Sequence, residues 1–160
     1  MRIIRGDLLE SGADFILQQS NCVTVRSKGL AAAIENRFPF CRPYKDHQQQ
    51  PSVPGNWEGF HNQQPGEPTI VCLFAQFYPG PPGVYDGAYA HKSPKPDTAE
   101  QRLEWFEEAL NKFLDRKPKG RLALPFQIGC GLAGGDWDQY RALIERLERK
   151  YGVEFEVYQI

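Results

Sequence analysis

The sequence predicts an α/β domain built on a largely parallel or mixed sheet, and three observations carry that prediction. Short apolar runs alternate with amphipathic helical stretches along the chain, the pattern of strands joined by crossover helices. One run, Leu122-Ala123-Leu124, passes through Pro125 into Ile128-Gly129-Cys130-Gly131-Leu132-Ala133-Gly134-Gly135-Asp136-Trp137, a glycine-rich link from a strand end to a helix start. Polar side chains also gather where apolar runs end: Asp7, Gln18 to Asn21, and Gln76 to Tyr78. Sheets of this kind bind ligands at the carboxyl ends of their strands, so these positions are expected to share one edge.

Taken in order, Arg2 to Gly6 reads as a first strand with Asp7 at its end. Phe15-Ile16-Leu17 is a second, buried strand that runs into the polar stretch Gln18-Gln19-Ser20-Asn21. Amides do not titrate, so their work there would be to orient a ligand by hydrogen bonds. Leu30 to Phe38 has good helix propensity and stops before Pro39. Residues 40–68 are irregular, with a weak strand signal at Trp57 to Phe60. Thr69 to Phe77 is a clear buried strand, and it opens into a long, tyrosine-rich loop from Tyr78 to Tyr89. Long loops in small domains are mostly functional or disordered, and this one is expected to cover a substrate.

Asp97 with Glu100 reads as the capping box of the next helix, whose apolar face is Leu103, Phe106, Leu110, Phe113 and Leu114. In the last helix Asp136 is the cap with Gln139 as its capping-box partner, Tyr140, Leu143, Ile144 and Leu147 face inward, and Gly152 is the stop. Val153 to Tyr158 alternates apolar and acidic residues, as an edge strand would.

Length and composition set bounds. The chain has 160 residues, enough for one domain, residues 1–160, with its own core. A formal net charge of −1 gives no general attraction to nucleic acid or anionic membranes. No apolar run reaches the roughly 18 residues that a membrane span needs. Cys22, Cys41, Cys72 and Cys130 form no CxxC pair, so no zinc site is expected. The N-terminal residues form no signal-peptide core. These features together predict a reduced cytoplasmic chain, with the nucleus as the other compartment, acting as a monomer without metal or cofactor.

The glycine loop carries most of the chemistry. Glycines let backbone N–H groups approach an anion closely, and the helix that follows adds positive potential. The alternative is a tight strand-to-helix turn without a ligand.

Gly6-Asp7-Leu8, Asn21 followed by Gly29 at a helix start, Ile128 to Trp137, and Val157-Tyr158-Gln159-Ile160 resemble the macro domain family in order and spacing over nearly the whole chain. Within it the chain looks most like the small branch that contains the yeast-type ADP-ribose 1″-phosphate phosphatase and the terminal ADP-ribose protein glycohydrolase. The resemblance implies a three-layer α/β/α domain with a central mixed sheet, and ADP-ribose as ligand. It implies that Asp7, with Leu8 beside it, accepts from the adenine amino group. Asn21 would hold the distal ribose and act in catalysis. Ser27, Lys28 and Gly29 would form the first phosphate loop, and Gly129, Cys130, Gly131, Leu132 and Ala133 the second. Tyr158 would close the adenine pocket.

Two departures matter. The first loop has Ser27-Lys28-Gly29 where the family has consecutive glycines. The lysine and aspartate of the glycohydrolase branch are matched by Gln76 and Ala133, which supply neither an amine nor a carboxylate. The leading reading is therefore hydrolysis of ADP-ribose 1″-phosphate, with Asp86, His91 and Asp136 as candidate bases by residue type. The alternatives are a hydrolase removing ADP-ribose from protein or nucleic acid, a reader that binds ADP-ribose without turnover, and a module for another nucleotide.

Overall fold

The computed structural model describes residues 1–160. Six strands form one sheet: β1 (Arg2–Arg5), β2 (Phe15–Ser20), β3 (Trp57–Phe60), β4 (Thr69–Phe74), β5 (Leu122–Pro125) and β6 (Phe155–Gln159). Their spatial order is β1-β6-β5-β2-β4-β3. All neighbours pair in parallel except β3, which runs antiparallel to β4. The sheet is mixed, as expected, and five strands present their carboxyl ends along one edge.

Three helices cover the sheet: α1 (Gly29–Arg37), α2 (Ala99–Asp115) and α3 (Trp137–Tyr151). The alternation of β2 sends its side chains to the two faces in turn. Phe15 meets Phe113 of α2 edge-on, and Gln19 meets Tyr140 of α3. On the other face Gln18 donates to Cys72, packed with Cys41 and with Phe38 at the end of α1 in one apolar core. The result is three layers, α/β/α.

Several expectations change in detail. β2 continues to Ser20, and Gln18 and Ser20 are buried within it. The amide stretch belongs to the strand end rather than to a loop after it, because pairing with β4 extends through Ser20↔Phe74. β4 in turn ends at Phe74, before Gln76. The cap of α2 is Thr98, whose hydroxyl accepts from the Gln101 amide. Asp97 is buried one residue earlier and does other work. Asp136 caps α3 as expected, but it accepts from the Asp138 amide rather than through a box with Gln139.

The last strand is a correction. β6 lies between β1 and β5 and is no edge strand. Its alternation arises because Glu156, only 7% exposed, is paired with Arg2 and Arg121 and accepts from the Tyr158 hydroxyl. A paired carboxylate can occupy an interior strand that an isolated one could not.

Candidate functional site

The carboxyl edge of the sheet carries a cleft of about 460 Å³. One wall is the start of α1: Lys28, Gly29, Leu30 and Ala31. The facing wall is the loop after β5, with Phe126, Gln127, Ile128, Gly129, Gly131, Leu132 and Ala133. Gln18, Gln19 and Gln76 form part of the floor, and Tyr44, Pro79 and Gly80 close one side. A second compartment of about 380 Å³ adjoins it and shares Asn21, Lys28, Ala31, Tyr44, Pro79, Gly80 and Leu132. Thr24, Arg26, Tyr85 and Tyr89 complete its lining. Tyr85 and Tyr89 bring the tyrosine-rich loop into this lining.

Both walls present unpaired backbone donors. The N-cap of α1, Lys28, makes no side-chain cap bond, and the amides of Gly29, Leu30 and Ala31 precede the first intrahelical bonds. Across the cleft, the amides of Gly129, Gly131, Leu132 and Ala133 donate to no protein acceptor. The loop is nevertheless rigidly shaped by Cys130 N to Gln127 O at 2.9 Å, Gly134 N to Gly131 O at 3.0 Å and Gly135 N to Gly129 O at 3.0 Å. Two opposed sets of free N–H groups, one backed by a helix dipole, are suited to an extended polyanion.

Asn21 stands where the two compartments meet. Its Oδ1 accepts from the amides of Val23 and Thr24 at 3.0 and 2.9 Å and from the Thr24 hydroxyl at 3.1 Å. Three donors on one oxygen fix the amide, so only its N–H₂ is left for a ligand. Below it, the Tyr140 hydroxyl donates to Gln19, Gln19 donates to Gln76, and Gln76 donates to the Tyr78 carbonyl. Both ends of the Gln76 amide are thus held in the floor.

The electrostatics are one-sided. Lys28 and Arg26 are the charged residues of the two linings, and no carboxylate or imidazole is among them. Burial pushes the Tyr44 hydroxyl well above its ordinary value, so it is a neutral donor. Cys130 is pushed up to about 11, first by burial and then by Asp136, and its thiol donates to the Ile128 carbonyl.

Of the residues expected in the site, Asn21, Lys28, Gly29, Gln76, Gly129, Gly131, Leu132 and Ala133 come together in the cleft. Ser27 lies beside the first wall in a separate polar surface pocket, and Cys130 turns its thiol back into its own loop. Asp7, Leu8 and Tyr158 are not in the lining. Asp7 is exposed and caps a single 3-10 turn, Leu8–Glu10, by accepting from the Leu9 amide. Leu8 is buried in the core. The Tyr158 ring lies beside Gly6, with its hydroxyl tied to Glu156. These three sit further along the same edge, at the ends of β1 and β6.

The three candidate bases are outside the cleft: Asp136 caps α3, His91 lies 3.4 Å from the Gln48 carbonyl, and Asp86 is exposed in the loop. Sequence reasoning missed Tyr44, whose irregular surroundings give no periodic signal. It also missed Arg102, which falls on the apolar stripe of α2 with Phe106 and Leu110; a cation on such a stripe needs a buried partner.

No protein-family model and no curated protein matches the sequence. Solved structures do. The macrodomain of Mycobacterium tuberculosis DarG superposes with a TM-score of 0.72 at 19% identity, covering 99% of this chain and 97% of that one. The macrodomain of Thermus aquaticus DarG gives 0.69 at 25% identity, with 99% and 97% covered. Thermosipho africanus DarTG, solved in complex with ADP-ribose, gives 0.64 at 20% identity, with 98% of this chain and 41% of that one covered. Across nearly its whole length, this chain has the macro domain fold.

Proposed function

We propose that this protein binds the ADP-ribosyl group in the cleft and hydrolyses the bond to its distal-ribose substituent, with ADP-ribose 1″-phosphate as the favoured substrate. The observation that carries the reading is the pair of facing walls of free backbone N–H groups in a cleft without acidic side chains. A diphosphate is the ligand that such walls suit. The ADP-ribose complex of the Thermosipho structure supports the same ligand.

The order of strands supports an orientation. Asp7 and Tyr158 end β1 and β6, the glycine loop follows β5, and Asn21 follows β2. An extended nucleotide along this edge would meet an adenine acceptor, then diphosphate donors, then the Asn21 amide at the distal ribose. Beyond Asn21, Arg26 and Lys28 in the second compartment suit an anionic substituent such as phosphate. Water would take the phosphoryl group, releasing inorganic phosphate and restoring the ribose hydroxyl. The free amides would stabilise the charge that develops.

One observation favours a second reading, a reader without turnover. The two linings contain no carboxylate or imidazole to act as a base, and Gln76 is held by hydrogen bonds. Incubation with ADP-ribose 1″-phosphate and with ADP-ribosylated protein, following phosphate and ADP-ribose release, separates the readings. Phosphate release is expected from the first. Tight ADP-ribose binding with no release from either establishes the reader, and no binding at millimolar ADP-ribose rejects the whole assignment.

A further inference from the structure

We propose that Arg102 is a positioning residue that fixes the glycine-loop wall of the cleft against its Tyr78–Gly80 side by tying two loops to the core helix α2. Its side chain is 1% exposed and makes an ion pair with Asp97, itself buried. A guanidinium has five N–H donors in a rigid plane. All five are used here. Nε and one terminal nitrogen hold the two Asp97 oxygens at 2.7 and 2.8 Å. That terminal nitrogen also reaches the Tyr78 carbonyl at 3.1 Å. The other donates to the Gly80 carbonyl at 2.7 Å and to the Ala133 carbonyl at 3.0 Å.

Those acceptors belong to different parts of the site. Gly80 lines both compartments, and Ala133 ends the run of free amides on the glycine-loop wall. Asp97 completes the clasp by accepting from the Tyr78 amide at 2.9 Å, so both peptide groups of Tyr78 are held. Drawing the Ala133 carbonyl towards α2 turns it away from the cleft. It also leaves the donors of Gly131, Leu132 and Ala133 as the groups not otherwise engaged. The contact between Pro82 and Gly134, where a Cβ would meet the proline ring at 2.8 Å, makes the same two loops lie close. The stripe of α2 beneath Arg102 is core, with Phe106, Ala109, Leu110 and Phe113 buried. The clasp therefore ties both loops to the buried face of α2.

Lysine keeps the charge opposite Asp97 but has no planar fork and fewer donors, so it cannot hold two loops at once. The ligand part of the test rests on the ADP-ribose reading; the dynamic part does not. In Arg102→Lys, exchange of the hydrogen-bonded loop amides of Tyr78, Cys130, Gly134 and Gly135 should accelerate on the order of tenfold or more while the β4 and α2 core amides stay protected. Affinity for ADP-ribose by calorimetry should fall by a comparable factor, as KM for ADP-ribose 1″-phosphate rises more than kcat falls.

Should Arg102→Lys fail to fold, the double variant Asp97→Asn with Arg102→Gln removes both charges together and leaves neither unpaired. The same local loosening is expected from it. Loop exchange unchanged in the folded variant, or exchange raised equally throughout the core, overturns the positioning role. If the wild type binds no ADP-ribose, the functional reading fails, and the exchange experiment alone decides the role of Arg102.

Discussion

Gly129 and Gly131 stand two positions apart in the same loop and are glycine for different reasons. At Gly129 φ is +74°, and a Cβ would lie 2.5 Å from the Tyr140 ring and 2.6 Å from Gln19. Gly129→Ala should therefore destabilise the protein by roughly 1–3 kcal/mol from backbone strain, with the overlap in addition. At Gly131 a Cβ would meet nothing within 4 Å and φ is not positive. Gly131→Glu should fold normally by far-UV circular dichroism and lose ADP-ribose binding by calorimetry, because bulk and negative charge would enter the diphosphate path. A folded Gly131→Glu protein with normal affinity would move the ligand elsewhere. Asn21 divides in the same way. Asn21→Asp keeps the oxygen that organises Val23 and Thr24, but it replaces the free N–H₂ with a negative acceptor. Its melting temperature should stay near that of the wild type while turnover falls; equal turnover would remove Asn21 from the site.

At the scale of elements, the segment between α1 and β3 supports the first loop from below. His47 is buried, its ring packs against Tyr44 and Phe74, and its nitrogens lie 2.8 Å from the Thr24 carbonyl and 2.6 Å from the Ser52 hydroxyl. A carbonyl only accepts, so Nδ1 carries the proton and Nε2 accepts from Ser52. Burial holds this histidine below its ordinary value of 6.5, outweighing the bond to Thr24. The unfolded chain then binds a proton that the folded one does not, so stability should fall as pH drops below about 6.5 towards the folded value. Thermal melts across that window test this. His47→Gln, which cannot titrate, should have a flatter profile, and an unchanged slope would assign the effect to other groups.

For the molecule as a whole, a ligand that binds the folded state alone stabilises it by mass action. ADP-ribose at about 100 times its dissociation constant should add roughly 2.7 kcal/mol and raise the melting temperature. Asp7→Ala should weaken the effect, because the carboxylate at the end of β1 would otherwise accept from the adenine amino group, a charge-assisted bond worth about 1.5–3 kcal/mol. Equal shifts for the two proteins would leave Asp7 as the cap of its 3-10 turn. No helix is long and apolar enough to cross a membrane.

The sequence by itself determined the elements whose pattern is local. Thr69 to Phe74 is a continuous apolar run, α2 and α3 show helical spacing, and Gly152 with φ +67° ends α3 as its position predicts. It also located the strand-end residues that meet in the cleft, because parallel strands leave their carboxyl ends on one edge. Tertiary structure decided what depends on partners distant in the chain. The alternation of β6 looks like an edge until Arg2 and Arg121 arrive to pair with Glu156. Asp97 looks like a helix cap until Arg102 and the Tyr78 amide claim its oxygens. Asn21 is legible as an amide near a strand end, but only the folded loop shows that its oxygen is engaged and its N–H₂ is free. In each case a polar group has several ways to be satisfied, and burial selects the one whose partner the fold supplies.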